Sequence, residues 1–351
     1  MDLEPQALAD RLGVSRAAVE LYLDSQVVDL HIDTFIWQRL FGYDLTKQHG
    51  TGPLGARFFG QADLPRVLEA GLAGALWIVT TNPLRGRLGK RDAALANIAR
   101  LRALLDQSPR AAVVAGLAEY RAARAAGKHA AFIGIQGGNA LEFELEDFDR
   151  PELAQLSLIT LLHFTRSRIG APALPRALAW GDQRLTAFGR DYVRKLNQRR
   201  ILVDLAHLSR DGFWDALEIH DKTLPPTVSH AGCDAVYPHF RNLTDPQLKA
   251  IADHGGVIGI MFQAQFLGPS TWAGKIEWVA DHILHAVRVV GAEHVALGSD
   301  FDGAIVPPPA LSTVLHLPRL VDLLLSRGLP EPAVRQILGL SFLQMLERIR
   351  P

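Results

Sequence analysis

Short runs rich in Val, Ile, Leu and Ala recur along the chain, and they are apolar through their length instead of at every second position. The runs lie at 27–31, 74–79, 131–136, 156–162, 201–206, 226–229, 256–261 and 294–299. A strand with one solvated face alternates, whereas a strand covered on both faces does not. Between the runs lie longer amphipathic segments at 88–107, 186–200, 244–255 and 275–291, with Thr186 and Thr244 placed as N-caps. Strands and helices in regular alternation call for a parallel sheet, and about eight such units predict an α/β fold of the (β/α)8, TIM-like barrel type. The run 111–116 is left over as an accessory strand. An open doubly wound sheet is the competing architecture. It is weakened because no Gly-x-Gly-x-x-Gly fingerprint follows the first strand.

Composition narrows the class. Lys+Arg 37 against Asp+Glu 37 gives a formal net charge of zero, so nothing favours a nucleic-acid partner. The single cysteine, Cys233, excludes an internal disulfide and a Cys-rich zinc module. No apolar run reaches the roughly 18 residues of a membrane span. The first 13 residues read as an acidic helical start and not as a signal peptide, so a cytoplasmic location is expected. No stretch has the composition of a linker. Residues 1–351 are therefore expected to form one catalytic domain, with 1–25 as an N-terminal helical extension. The pattern at 7–23, with Gly13 at a turn, looks like a DNA-binding helix-turn-helix. Too few residues precede the first strand for a three-helix module, so a packing helix is expected.

In a barrel of this type, polar residues at the C-terminal strand ends line the active site. The first run ends in His31-Ile32-Asp33, and side chains two apart share a face, so His31 and Asp33 point together. The third ends in Gln136-Gly137-Gly138-Asn139, the fourth leads to His163, the fifth to His207 and the sixth to His230; the eighth ends in Asp300. Imidazole nitrogen with carboxylate oxygen suits a divalent metal, zinc above all. His239, near Arg241, is a candidate for the site mouth. His282 and His285 read as a solvated or partly packed helix face, and Arg166 and Arg168 as a loop able to favour an acidic substrate group.

The ordered strings 29-DLHIDT-34, 61-QADLPRVLEAGLAGALW-77, 133-IGIQGGNAL-141, 158-LITLLH-163, 185-LTAFGRDYVRKLN-197, 203-VDLAHLS-209, 228-VSHA-231, 241-RN-242, 255-GGVIGI-260 and 297-LGSDFDG-303 resemble the membrane (renal) dipeptidase family of zinc metallopeptidases. The resemblance runs from about Val27 to the C-terminus and implies a (β/α)8 barrel that hydrolyses dipeptides at a two-zinc site. It implies that His31, Asp33 and Asp300 hold one zinc, and His207 and His230 the other. It further implies that His163 stabilises the tetrahedral intermediate, that Arg241 holds the substrate carboxylate, and that Asp300 orients the attacking water and shuttles its proton. Asn139 is a further candidate for substrate contact. A small dipeptide-like partner follows, and a homodimer is compatible with it.

One position departs from the family pattern. Gln136 stands where the family has a glutamate bridging the two zincs. Two Zn²⁺ bring about four positive charges; two aspartates and a hydroxide remove about three. An amide supplies neither the fourth charge nor a second good acceptor oxygen. The expectation is a metal-dependent dipeptidase holding one or two Zn ions. The alternative is a catalytically impaired or specialised homologue, acting as a binding protein or as a single-metal amide hydrolase.

Overall fold

The computed structural model describes residues 4–52, 54–82, 85–142, 144–269 and 272–351. Nine parallel strands form its sheet: β1 (Val28–Ile32), β2 (Gly74–Thr80), β3 (Ala111–Val114), β4 (His129–Gln136), β5 (Leu156–Thr160), β6 (Leu202–Asp204), β7 (Thr227–Ala231), β8 (Val257–Ile260) and β9 (Val295–Leu297). Pairing of β2 with β4 closes eight of them into a barrel running β1-β2-β4-β5-β6-β7-β8-β9 and back to β1. The accessory strand of the sequence reading is β3. It pairs only with the first half of β4, while β5 takes the second half of that same edge.

The barrel interior explains why the runs are apolar throughout. Val28, Leu30, Leu76, Ile78, Ala130, Phe132, Leu158, Leu202, Val257 and Ala296 form one buried cluster. Side chains from seven barrel strands can meet only on the barrel axis. Phe342, Met345, Leu346 and Ile349 of the C-terminal helix Ser341–Ile349 join them. The alternate strand positions, such as Trp77, Val79, Ile133 and Ile135, pack outward against Ile98, Leu101 and Leu105 of the helix Arg87–Asp106. Both faces of the eight barrel strands are thus out of water, whereas Ala112 and Val113 of β3 are half-buried. The N-caps form as expected: Thr186 accepts from the Gly189 amide, and Thr244 makes a capping box with Gln247.

Two register shifts matter for function. Strict alternation would follow Val28 and Leu30, which face the axis, with an outward His31. The pairing of β1 with β2 shifts between Asp29 and Ile32. The pairing of β7 with β8 shifts between Val228 and Ala231, around His230. Such irregularities re-aim side chains at strand ends. Gly259 and Gly298 allow the strands beside Ser229 to approach closely, since a Cβ on either would collide with the Ser229 carbonyl oxygen.

The pattern at 7–23 is a helical hairpin, Pro5–Leu12 and Arg16–Leu23, turning at Gly13 in the left-handed region (φ 68°). It is docked and not presented for DNA. The Ser15 amide and hydroxyl both donate to Asp322 Oδ1, at 2.9 and 2.5 Å, and the Tyr22 hydroxyl donates to the Ala70 carbonyl at 2.8 Å. Ala18, Leu21 and Tyr22 are part of the main core.

Candidate metal centre and active site

Six metal-capable side chains from five strand ends meet at one rim of the barrel. His31, Asp33 and Asp300 bring their ligand atoms within 4.8 Å of one another. His31 Nε2 lies 3.5 Å from Asp33 Oδ2 and 3.8 Å from Asp300 Oδ1, and it has no hydrogen-bond partner although fully buried. His207 Nε2 and His230 Nε2 are 2.8 Å apart, and the Gln136 amide nitrogen is 3.2 Å from the first and 3.4 Å from the second. Thr80 ties the two groups together, donating to Asp33 Oδ1 at 2.5 Å and lying 3.4 Å from Gln136 Oε1. Gln136 therefore sits between a carboxylate–histidine group and a histidine pair. His207 (φ 65°) and Asp300 (φ 62°) occupy the left-handed region, which for non-glycine residues stores strain at functional sites.

A buried network behind the histidines sets their protons. Asp204 accepts from the Ser229 amide at 2.9 Å, the Ala206 amide at 3.0 Å, the Ser229 hydroxyl at 2.6 Å and the Thr160 hydroxyl. Both its oxygens are thereby satisfied, so it positions other groups instead of ligating, although it lies near His31 and His230. Ser229 Oγ spends its proton on Asp204. It therefore accepts from Nδ1–H of His230 at 2.8 Å and faces Nδ1 of His31 at 3.2 Å. That leaves the Nε2 lone pair of each ring aimed at the cavity, the tautomer a metal needs. Asp29 steadies the rim, accepting from the His31 and Ser299 amides at 3.0 Å each.

Burial holds His207 and His230 well below the ordinary imidazole range, with Arg241 and the neighbouring imidazoles adding to it. Burial likewise takes His163 down to about 3. Burial also lowers His31, but the nearby Asp33 carboxylate, 3.5 Å from its Nε2, outweighs it and, with Asp300, raises that ring overall. Asp300 is pushed up to about 8, by burial first and by Asp33 next. Neutral imidazoles and crowded carboxylates at one point are a set that a cation would relieve. The donors fit a divalent metal: lone pairs converge, His31 Nε2 is orphaned, and the second-layer bonds are in place.

Asp33, Gln136, His207, His230 and Asp300 line a cavity of about 240 Å³ that also takes in His163, Phe164, Arg241, Met261 and Phe266. Arg241 is buried, its Nε and Nη2 lack partners, and burial lowers its pKa to about 10. A buried, unsatisfied guanidinium in a cavity is a receptor for a carboxylate. His239 stacks on Phe266 (ring centroids 4.1 Å apart), and its Nδ1 accepts from the Arg241 amide at 3.2 Å, so it supports the mouth.

Several expectations place differently. Asn139 is buried behind the rim with its amide 3.5 Å from Thr165 Oγ1, and it is not among the cavity-lining residues. Arg166 donates to the Trp180 and Asp182 carbonyls, and Arg168 to the Glu142 carbonyl while covering the Phe188 ring. Arg166 pins its own loop, and Arg168 ties that loop to the segment after β4. His282 is fully buried, accepting from the Cys233 amide at 2.7 Å, because the helix Ile276–Val290 turns that face into the core. Thr80, Asp204 and Ser229 were missed. Their signal was an isolated hydroxyl or carboxylate within an apolar strand, where only a partnered polar group is tolerated.

A parallel eight-stranded barrel with histidines and carboxylates at its strand ends has the architecture of the metal-dependent hydrolases. The chain belongs to the membrane dipeptidase family, peptidase family M19, whose sequence profile matches residues 15–350. It is 36% identical over 168 residues to an uncharacterised protein in the pqqA 5′ region of Klebsiella pneumoniae, and 34% over 166 residues to dipeptidase tcpJ of Claviceps purpurea. Each alignment covers 47% of this chain, and 61% and 38% of the two relatives respectively, so the match spans less than two thirds of either. Its structure is similar to a metallopeptidase of Rhodobacter sphaeroides, crystallised with a phosphinate mimic of the dipeptide L-Ala-D-Ala. The TM-score is 0.81 at 26% identity, covering 93% of this chain and 100% of that one.

Proposed function

We propose that this chain is a metal-dependent dipeptidase whose whole length works as one catalytic domain, with residues 1–25 as a helical extension. The observation that carries the reading is a 240 Å³ cavity lined by Asp33, Gln136, His207, His230 and Asp300, with His31 grouped against Asp33 and Asp300, beside the unpartnered guanidinium of Arg241. Its size suits two residues and its cation suits their terminal carboxylate.

His31, Asp33 and Asp300 would hold one ion, zinc by the nature of the donors, and His207 and His230 a second and weaker one beside Gln136. A bound ion supplies Lewis acidity to the scissile carbonyl and acidity to the attacking water. Asp300 orients that water and takes its proton at a carboxylate oxygen. His163 is neutral at working pH and faces the oxygen that gains charge as a hydrogen-bond donor. Arg241 grips the substrate carboxylate through paired hydrogen bonds. Among the described residues no helix is long and apolar enough to cross a membrane, and a cytoplasmic setting is part of the proposal.

The test is turnover of a dipeptide panel, including D-residues at the second position, by protein supplied with Zn²⁺, Mn²⁺ or Co²⁺. The expected result is hydrolysis abolished by His31→Ala and by Asp300→Asn, with KM raised by Arg241→Gln. No turnover with any ion would overturn the reading.

A further inference from the structure

A second cavity, of about 600 Å³, opens beside the metal cavity and shares Ile36, His163 and Phe164 with it. Its charged lining is all of one sign: Arg39, Arg85, Lys90 and Arg100. Several cations elsewhere on this electrically neutral chain do have a carboxylate partner, as Arg184 and Arg190 have in Asp215, Arg210 in Asp234 and Lys195 in Asp149. Among the described residues no carboxylate lies within ion-pair distance of any of the four. Arg39 Nε is buried without a hydrogen-bond partner. Four gathered cations without a carboxylate partner repel one another, and the buried, unpartnered Nε of the half-buried Arg39 adds to that cost. An anion lodged there would relieve both.

The barrel order says which part of a substrate reaches this place. Arg241 follows β7, whereas Thr80, Thr81 and Arg85 follow β2, and the helix Arg87–Asp106 that carries Lys90 and Arg100 comes next. Around the eight strands β2 and β7 stand four apart, on opposite sides of the rim. A dipeptide with its carboxylate on Arg241 and its peptide bond over the donor cluster extends toward the second cavity with its amino-terminal residue. We infer that this cavity is a subsite for an anionic side chain on the amino-terminal residue, so that the preferred substrates are dipeptides beginning with Glu or Asp. The inference deepens the dipeptidase reading and rests on it for the orientation of the ligand.

The probes are glutamyl-alanine and glutaminyl-alanine, equal in shape and differing by one charge, offered to the metal-loaded protein in low and high salt. The expected result is a kcat/KM ratio of about tenfold or more in favour of glutamyl-alanine, shrinking with salt. The ratio is expected to fall to near one in Arg39→Gln/Arg85→Gln/Lys90→Gln. The double variant Arg85→Gln/Lys90→Gln leaves the half-buried Arg39 in place and serves if the triple one does not fold; it should lose a clear part of the ratio. Calorimetric titration of the same two dipeptides gives a readout independent of turnover. Turnover of both at a ratio near one would overturn the subsite and leave the dipeptidase reading standing. Turnover of neither, with glutamyl-alanine still bound about tenfold more tightly, would overturn the dipeptidase reading and leave the anion site. Neither turned over and both bound equally would overturn the two together.

Discussion

Replacing Gln136 with Glu tests how the donor cluster is balanced. The side chain lies between the Nε2 atoms of His207 and His230, at 3.2 and 3.4 Å, and reaches Asp33 through Thr80. A carboxylate there would stand about 4 Å from a divalent ion held by the two histidines, worth roughly 8 kcal/mol at an effective dielectric constant of about 20. Desolvating the carboxylate takes back several kcal/mol. A net gain of about 3 kcal/mol corresponds to roughly a hundredfold in affinity. The same carboxylate, buried and unpaired when no ion is bound, weakens the metal-free fold. The variant should therefore melt lower than the parent without metal and show a larger upward shift of Tm when Zn²⁺ is added. Metal content by mass spectrometry, after dialysis against graded chelator buffers, should rise toward two ions per chain. An unchanged or lower metal content, with no widening of the Tm shift, would refute this reasoning. It would mean that the neutral amide is a working part of the site.

Asp204→Asn leaves one acceptor oxygen for four donors, so about 2 kcal/mol of folding stability should be lost by chemical denaturation. Zinc affinity should fall about tenfold because Ser229 no longer fixes the tautomers of His31 and His230; unchanged zinc affinity would show that the network does not orient them. His129 is buried, accepts from Trp77 Nε1 at 3.1 Å and donates to the Leu72 carbonyl at 2.9 Å, so it is held neutral with its pKa pushed down to about 4 by burial. A folded-state pKa below the ordinary imidazole value of about 6.5 means full stability above pH 6.5 and loss as pH falls toward 4. That loss amounts to about 3 kcal/mol from this group. His129→Gln keeps both hydrogen-bonding roles and cannot titrate, so its denaturation midpoint should vary less over that window; an equal slope would remove His129 as a source.

What was legible in the sequence followed from strong physical constraints. Apolar runs without alternation required strands covered on both faces, and the barrel follows from that requirement; the two threonine N-caps were legible at the starts of the amphipathic segments. The metal-capable side chains were legible because a histidine or carboxylate ending an apolar strand needs a reason to be there. The aim of His31 was reached through a regular alternation that β1 does not keep: Val28 and Leu30 face the axis, and the shift before Ile32 turns His31 inward as well. A local shift of register leaves no mark in the period of a five-residue strand. The roles of Arg166 and Arg168 were not legible, because a loop arginine can reach a substrate or its own carbonyls with equal ease until the loop is folded.

The cationic cavity shows the same limit from the other side. Arg39 lies on the helix Phe35–Phe41 after β1, Arg85 on the connection after β2, and Lys90 and Arg100 on the helix that follows. Nothing in their spacing joins them, and overall charge balance conceals them because the excess is local. The scaffold itself decides what such a cluster can do. An eight-stranded barrel places the loops after β2 and β7 on opposite sides of one opening, so in the proposed reading cations at the two places would grip opposite ends of a short ligand. In the proposed orientation Arg241, buried and lining the same cavity as the donor cluster, would fix where the peptide bond lies. The four cations across the rim would then act on whatever extends past it. A change at Arg241 should consequently weaken every dipeptide alike, whereas a change at Arg85 or Lys90 should reorder dipeptides by the charge of their first residue. Uniform loss from both kinds of variant would mean that the two cavities do not share a substrate.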